Sequence, residues 1–354
     1  MRAIVCEEFG PVSDLRVVER ESTPLGPGDV RVAVSACGVN YVDGLFVQGR
    51  YQIRPPVPFT PGMEVVGRIV EVGSEVSDRS MGDRVFVNVG LGGYVSEVVV
   101  ASGRTMVLPE SISDGQAATF MQSYLTGWFA LRQRADVSAG QSILVLGAGG
   151  GVGLAAVDIA SALGLRVIAA ASTEEKRALA LSRGAESVID SVNEDVKERA
   201  KELGGGSVDV LYDPVGGDLA TTCLRALGDD GAYLVIGFVA GIPNLPANQI
   251  LLRNRRVIGV DWGGWALRNG ARNDEMVTEV LAEIGAGRLS PVEPVAYRLE
   301  ELTDDVAKLF LLLGEGEVHG VASGRGEGRS PDGQLMRREP QGVVLAHPVR
   351  TRHI

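Results

Sequence analysis

The run Leu144-Val145-Leu146-Gly147-Ala148-Gly149-Gly150-Gly151-Val152-Gly153, continued by Leu154-Ala155-Ala156-Val157-Asp158-Ile159-Ala160, constrains this chain more than any other stretch. A short apolar run rich in branched residues predicts a buried parallel strand, the glycines a tight turn, and the alanine-rich segment a helix packed close on the sheet. A helix N-terminus leaves N–H groups unpaired and carries partial positive charge, so a glycine turn that opens a helix suits the pyrophosphate of a dinucleotide. The spacing is Gly147-x-x-Gly150-x-x-Gly153 rather than strict GxGxxG, so the flanking strand and helix carry as much of the signal as the glycines.

A length of 354 residues accommodates two domains, each with its own core. The formal net charge of -11 repels phosphate backbones, and no basic patch in the body of the chain offsets it, so neither nucleic acid nor an anionic membrane is an expected partner. Met1-Arg2-Ala3-Ile4-Val5-Cys6-Glu7-Glu8 has no sustained apolar core before its first acids and does not read as a signal peptide; a cytoplasmic location is expected. The long, poorly charged stretch from Ser142 to Ala171 is broken by glycines and Asp158, as suits two buried strands around a helix rather than a membrane span.

Cys6, Cys37 and Cys223 are widely separated and read as small buried hydrophobes. His319, His347 and His353 are the only histidines, all near the C-terminal end, so a zinc site of the common His/Cys kind has almost nothing to work with.

Residues 1 to about 110 read as mostly β. Val30-Arg31-Val32-Ala33-Val34, Gly67-Arg68-Ile69-Val70-Glu71-Val72 and Arg84-Val85-Phe86-Val87 alternate or are branched, with turns at Pro27-Gly28-Asp29 and Met81-Gly82-Asp83. The proline-rich 54–62 segment is predicted to be an extended loop. Ser113-Asp114-Gly115-Gln116 has capping-box spacing, and the helix beyond it, through Phe120, Leu125 and Phe129, is predicted to lead into the second domain. There, strands at Leu165 to Ala171, Val188 to Asp190, Val208 to Tyr212, Tyr233 to Phe238 and Val257 to Val260 follow the first, with helices between them. This pattern predicts an α/β, doubly wound parallel sheet, which binds ligands at the carboxyl ends of its strands. Helices predicted at Asn273 to Ala286 and Thr303 to Leu313 rejoin the first domain, which is then discontinuous. From about Ala322 the chain is rich in Gly, Arg, Ser and Pro, with six arginines and three acids, and is expected to be flexible, although Gly342-Val343-Val344-Leu345 is strand-like.

About twenty residues past the glycines, an acid would bind the free 2′-hydroxyl of NAD. Here the second strand ends Ala170-Ala171-Ser172, with Lys176 and Arg177 on the next helix, which favours NADP(H); alternatively, the two cations are a solvated helix face.

Ala36-Cys37-Gly38-Val39-Asn40-Tyr41-Val42-Asp43, Thr60-Pro61-Gly62-Met63-Glu64-Val65-Val66-Gly67, Gly82-Asp83-Arg84-Val85, Gly92-Gly93-Tyr94 and Asp213-Pro214-Val215-Gly216-Gly217 stand in the order seen in the medium-chain dehydrogenase/reductase superfamily. Over residues 1 to 321 the chain resembles most closely its zinc-free branch, the NADPH:quinone oxidoreductases related to ζ-crystallin. The resemblance implies a GroES-like β-rich catalytic domain of residues 1–122 and 263–321, a Rossmann domain of residues 123–262 that binds NADPH, and an atypical tail, 322–354. It also implies a homodimer built by pairing sheet edges near Val257 to Val260, and hydride transfer to a quinone or another electron-poor alkene.

Zinc-dependent members place Cys where this chain has Asn40, His where it has Met63, and Cys or Asp near Gln122. No metal is therefore expected. Quinones and enones delocalise the charge arriving with hydride, so orientation and modest hydrogen bonding suffice for them. By resemblance, Asn40 and Tyr51 line the cleft near the nicotinamide and Thr126 touches the cofactor. Gly150, Gly151, Val152 and Gly153 meet the pyrophosphate, Ser172 and Lys176 face the 2′-phosphate, and Gly237 and Phe238 end a later strand beside the nicotinamide. Asn40 also reads as a turn residue satisfied by backbone, Tyr51 as a packed loop aromatic, and Asp213 as a loop cap. Asp190-Ser191 departs from the tyrosine that related reductases often carry there. Gly320-Val321-Ala322-Ser323 departs from the usual closing strand. Two rival functions stay open: an enoyl-thioester reductase acting on acyl-CoA or acyl-carrier-protein, and a non-catalytic NADPH-binding structural protein.

Overall fold

In the computed structural model, the structure describes residues 1–299 and Val344–His347. The N-terminal part begins with a two-stranded antiparallel ribbon, β1 (Arg2–Val5) and β2 (Arg16–Glu19). A curled sheet follows, built on β3 (Asp29–Gly38), β4 (Glu64–Val72), β5 (Arg84–Asn88), β6 (Glu97–Ala101) and β7 (Thr105–Val107). The three runs read as strands in this region become β3, β4 and β5, and no helix falls in 54–62. Alternation along β3 sends Val30, Val32 and Val34 inward, while Arg31 points out to Glu71 and Glu97 at 2.8 and 2.7 Å.

Ser113 caps a helical stretch that runs through residues 114–134. Its hydroxyl accepts from the Gln116 N–H at 3.0 Å, and the Gln116 side-chain oxygen accepts from the Ser113 N–H at 3.0 Å. Replacing Ser113 with alanine is expected to destabilise the protein by about 1 kcal/mol, measured by urea unfolding. An unchanged midpoint would show that the Gln116 contact to the Pro291 carbonyl anchors this helix end instead. Two π-helical segments, Met121–Leu125 and Phe129–Arg134, interrupt the α geometry. Such wide turns cluster at functional sites. The helix lies directly on β3: a Cβ at Gly38 would sit 2.1 Å from the Ala118 carbonyl oxygen.

The second sheet is parallel: β8 (Ser142–Val145), β9 (Arg166–Ala171), β10 (Ser187–Asp190), β11 (Val208–Asp213), β12 (Leu227–Val235) and β13 (Arg256–Gly259). Their spatial order is β10-β9-β8-β11-β12-β13. This is the doubly wound order of dinucleotide-binding folds, with the crossover between β8 and β11. Buried Ile143, Val145, Val167, Ala169, Val210 and Tyr212 pack in the core that includes the helix Gly151–Ala162 and the 114–134 helix. The fifth strand corrects the expectation. It covers Leu227–Val235, not Tyr233 to Phe238: Leu227 already pairs with Val208 of β11, Arg255 holds the Leu227 carbonyl at 2.6 Å, and beyond Val235 the Ile236 and Gly237 N–H groups both turn to the Asp213 carbonyl.

The chain returns through the helix Gly270–Gly285 to β14 (Val295–Arg298). The predicted Thr303 to Leu313 helix lies outside the described residues. Within the tail, the stretch read as strand-like supplies Val344–His347 as a strand, β15. It pairs antiparallel with β14 and parallel with β3 at Ala36, Cys37 and Gly38. The strand-like run noted there thus docks on a sheet and completes hydrogen bonds that β3 leaves open.

Candidate functional site

The glycine turn is where a strand-turn-helix unit places it. Gly150 caps the helix Gly151–Ala162, and its N–H returns to the Gly147 carbonyl at 2.9 Å. The first-turn N–H groups of Gly151, Val152 and Gly153 have no intrahelical acceptor. Two close approaches explain the glycines. A Cβ at Gly153 would lie 2.3 Å from the Gly147 oxygen, and one at Gly149 would lie 2.5 Å from the stem of Lys176. The Lys176 side chain therefore lies over the turn. Ser172 is exposed at the end of β9, one residue before Thr173, which caps the helix Glu174–Ser182. Arg177 is not a free cation: it pairs with Asp190 at 3.1 Å.

Gly237 and Phe238 lie beyond β12, in the loop that follows it rather than at its end. The Gly237 N–H reaches the Asp213 carbonyl at 3.3 Å. Asp213 in turn accepts from the Val215 and Gly216 N–H groups at 2.8 and 2.9 Å and from the Tyr233 hydroxyl at 2.7 Å, so it holds its loop. Phe238 is largely exposed beside it. The loops after β8, β11 and β12 thus meet at the carboxyl ends of the strands.

Asn40 follows β3 and precedes the helix Tyr41–Val47. Its hydrogen bonds run to two buried carboxyl groups. Its N–H donates to Asp43 Oδ2 at 2.8 Å, and its side-chain Nδ2 donates to Glu64 Oε2 at 3.2 Å. Glu64 is the residue that sequence reasoning missed. It is 1% exposed, and its Oε1 accepts the Gln122 N–H at 2.6 Å from the π-helical segment. Burial pushes its carboxyl up to about 8. Asp43, also fully buried, accepts from the Tyr94 hydroxyl and the Gly62 N–H, and burial pushes it up to about 6. One signal was available: a carboxylate inside the apolar run Met63-Glu64-Val65-Val66 has to be satisfied by buried donors.

Tyr51 packs on Phe46 with ring centroids 4.6 Å apart and is half-buried. Burial, then the nearby charge of Asp261, raises its hydroxyl above the usual tyrosine range. Asp261 caps the helix that follows β13, so the first sheet's loop and the second sheet's edge face each other here. Thr126 is buried between the two π segments, where its neighbour Gly127 packs on Ile159 of the glycine-turn helix. The same two helices are tied by Asp158, which accepts from the Tyr124 hydroxyl and the Ser290 N–H, each at 2.7 Å.

No three His, Cys, Asp or Glu side chains among the described residues are grouped to hold a metal. At the three positions where the resemblance places the zinc ligands of the zinc-dependent members stand Asn40, Met63 and Gln122.

Residues 26–122 match the model of the alcohol dehydrogenase GroES-like domain, and residues 151–283 match that of the zinc-binding dehydrogenases. The bovine quinone oxidoreductase-like protein 2 is 38% identical over 86% of this chain and 87% of its own length. The chain belongs to the quinone oxidoreductase branch of the medium-chain dehydrogenase/reductases. Human quinone oxidoreductase is 32% identical over 86% of the chain and 92% of its own length. The crystal structure of Escherichia coli quinone oxidoreductase complexed with NADPH superimposes with a TM-score of 0.79, at 28% identity over 89% of this chain and 98% of that one. The two-sheet α/β architecture, GroES-like and Rossmann-like, is that of the family. Among the described residues, no helix is long and apolar enough to cross a membrane.

Proposed function

We propose that this protein is an NADPH-dependent, zinc-independent reductase of quinones or α,β-unsaturated carbonyls. The observation that carries the reading is the residue set around Glu64: an amide, Asn40, stands in hydrogen-bond contact with a buried carboxyl where a zinc enzyme needs a thiolate. The bound NADPH of the Escherichia coli relative supports the cofactor. So does the fit of the glycine turn, whose close backbone approach leaves the first-turn N–H groups of Gly151, Val152 and Gly153 for a pyrophosphate. Lys176 supplies the charge for a 2′-phosphate beside Ser172, and Thr126, Gly237 and Phe238 border the nicotinamide half.

NADPH, when bound, supplies the hydride. The chain's own residues bind and orient. Asn40 has a second Nδ2 hydrogen beyond the one given to Glu64, and donates it to the acceptor's carbonyl oxygen. Tyr51 walls the same cleft and offers a hydroxyl donor. Neither group is a strong acid, which suits an acceptor whose conjugation spreads the incoming charge. The division that goes with this chemistry is a catalytic unit of residues 1–122 and 263–321, a cofactor unit of residues 123–262, and a tail from which β15 returns to the catalytic sheet.

The test is NADPH oxidation with a panel of quinones, enones and enoyl-CoA thioesters. Turnover of quinones or enones supports the reading. Exclusive turnover of thioesters overturns the substrate class, and tight NADPH binding without any turnover overturns the enzyme. Among the described residues the edge of the parallel sheet is open: β13 is its last strand, with Val257 41% exposed and Leu251 and Leu252 bare nearby. An exposed apolar edge strand invites pairing with a second copy. A dimer mass by light scattering is expected, reduced to a monomer by Val257→Lys; a monomeric wild type would refute it.

A further inference from the structure

Asp190 ends β10 in register with Ala171, the last residue of β9. The carboxyl end of the second strand is where such sheets meet the ribose that carries or lacks a 2′-phosphate. Two cations follow on the next helix, and the structure separates their roles. The Lys176 stem lies over Gly149, and its ammonium has no carboxylate within ion-pair distance among the described residues. Arg177 spans the two strand ends instead. Its Nη1 donates to the Ala171 carbonyl at 3.2 Å and pairs with Asp190 Oδ2 at 3.1 Å.

The carboxylate is firmly placed. Asp190 Oδ1 accepts from the Val192 and Asn193 N–H groups at 3.0 and 3.2 Å, and Oδ2 accepts from Asn193 Nδ2 at 3.1 Å. These donors, the Asn193 side chain first, hold it below the usual aspartate range, so it is ionised at neutral pH. Among the described residues its cationic partner is Arg177.

We infer that Asp190 is a specificity-determining residue: a fixed anion that occupies Arg177 and weakens the hold of this site on a 2′-phosphate, leaving Lys176 as the main counter-charge. The inference rests on the dinucleotide reading given above. Arg177 is the better group for planar, bidentate phosphate recognition, yet its Nη1 is already committed to Asp190 and the Ala171 carbonyl. The site is thereby tuned toward a modest preference, in which NADH is also accepted.

Dissociation constants for NADPH and NADH, measured by fluorescence titration, test it in wild type, Asp190→Asn, Arg177→Ala and the double variant. Asparagine keeps an acceptor for the Val192 and Asn193 N–H groups while it removes the charge. Asp190→Asn is expected to tighten NADPH about 5- to 10-fold, as befits one partly exposed charge, with NADH changed less than about twofold. Arg177→Ala alone is expected to have little effect on the NADPH/NADH ratio but to erase the gain of Asp190→Asn, a coupling that only a shared partner produces. Asp190→Ser provides the same arm if the asparagine variant does not fold. An unchanged ratio in the folded charge-removing variants overturns the inference, as does a gain that survives the loss of Arg177. Wild type that binds neither coenzyme overturns the dinucleotide reading itself and is recognised before any variant is compared.

Discussion

Gly153→Ala is expected to weaken NADPH binding by about 10- to 100-fold, because overpacking of this kind costs roughly 1–3 kcal/mol. The added Cβ would meet the Gly147 carbonyl oxygen at 2.3 Å and its carbon at 2.8 Å. Both are backbone atoms of the same turn, so no side chain can swing aside. Relief comes only by lifting the helix Gly151–Ala162 away from β8, which moves the N–H groups proposed to meet the pyrophosphate. Gly150 provides the contrast. It has φ −86°, and a Cβ there would stand 3.4 Å from the Gly147 oxygen, which is ordinary contact. Gly150→Ala is therefore expected to melt like wild type, and any loss of binding there comes from the space the ligand needs. Titration with NADPH, alongside thermal melts, checks both. A Gly153→Ala protein that binds as tightly as wild type would remove the close approach from the argument.

The second large effect is on stability against pH. Glu64 holds its proton up to about 8 in the folded protein but releases it near 4.5 when unfolded. Between those values the folded state carries a proton that the unfolded state has lost, so stability falls as pH rises through this window. The loss attributable to this carboxyl is on the order of 3–5 kcal/mol. Asp43 acts with the same sign, but over the lower range from 3.8 to about 6. The two are therefore separable between pH 6 and 8. Urea unfolding of wild type is expected to show a steep decline there, and Glu64→Gln, which has nothing to titrate, is expected to flatten it. Parallel curves for the two proteins across pH 6 to 8 would show that Glu64 does not store the proton.

What was legible in the sequence was whatever depends on local periodicity. Branched strands, glycine turns and the Ser113 capping box appear within a residue or two of their expected places, since each is decided by neighbours in the chain. The start of β12 was not legible, because Leu227 pairs with Val208 across an irregular register and has its carbonyl held by Arg255, twenty-eight residues away. Asn40 was picked out by its position in a familiar order of motifs, yet Glu64 beneath it was not. Its contacts come from Gln122 and Asn40, on two other elements. Lys176 and Arg177 look alike as a pair of cations; only the approach of β10 to β9 shows that one is already matched. Side chains that act through distant partners are where sequence patterns run out.

The position of β15 bears on how the molecule is made. β3 leaves the ribosome with its residues 36–38 able to pair on one side with β4, but their other neighbour, Val344–His347, is translated some three hundred residues later. All six strands of the parallel sheet are available by residue 259. The parallel sheet can therefore form on the nascent chain, while the sheet beside Asn40 waits for Val344–His347 to finish its ladder. Contacts of such long sequence separation form late and slowly. Until then residues 36–38 of β3 present an unpaired edge, and the chain has its parallel sheet complete before the sheet that leads to Asn40.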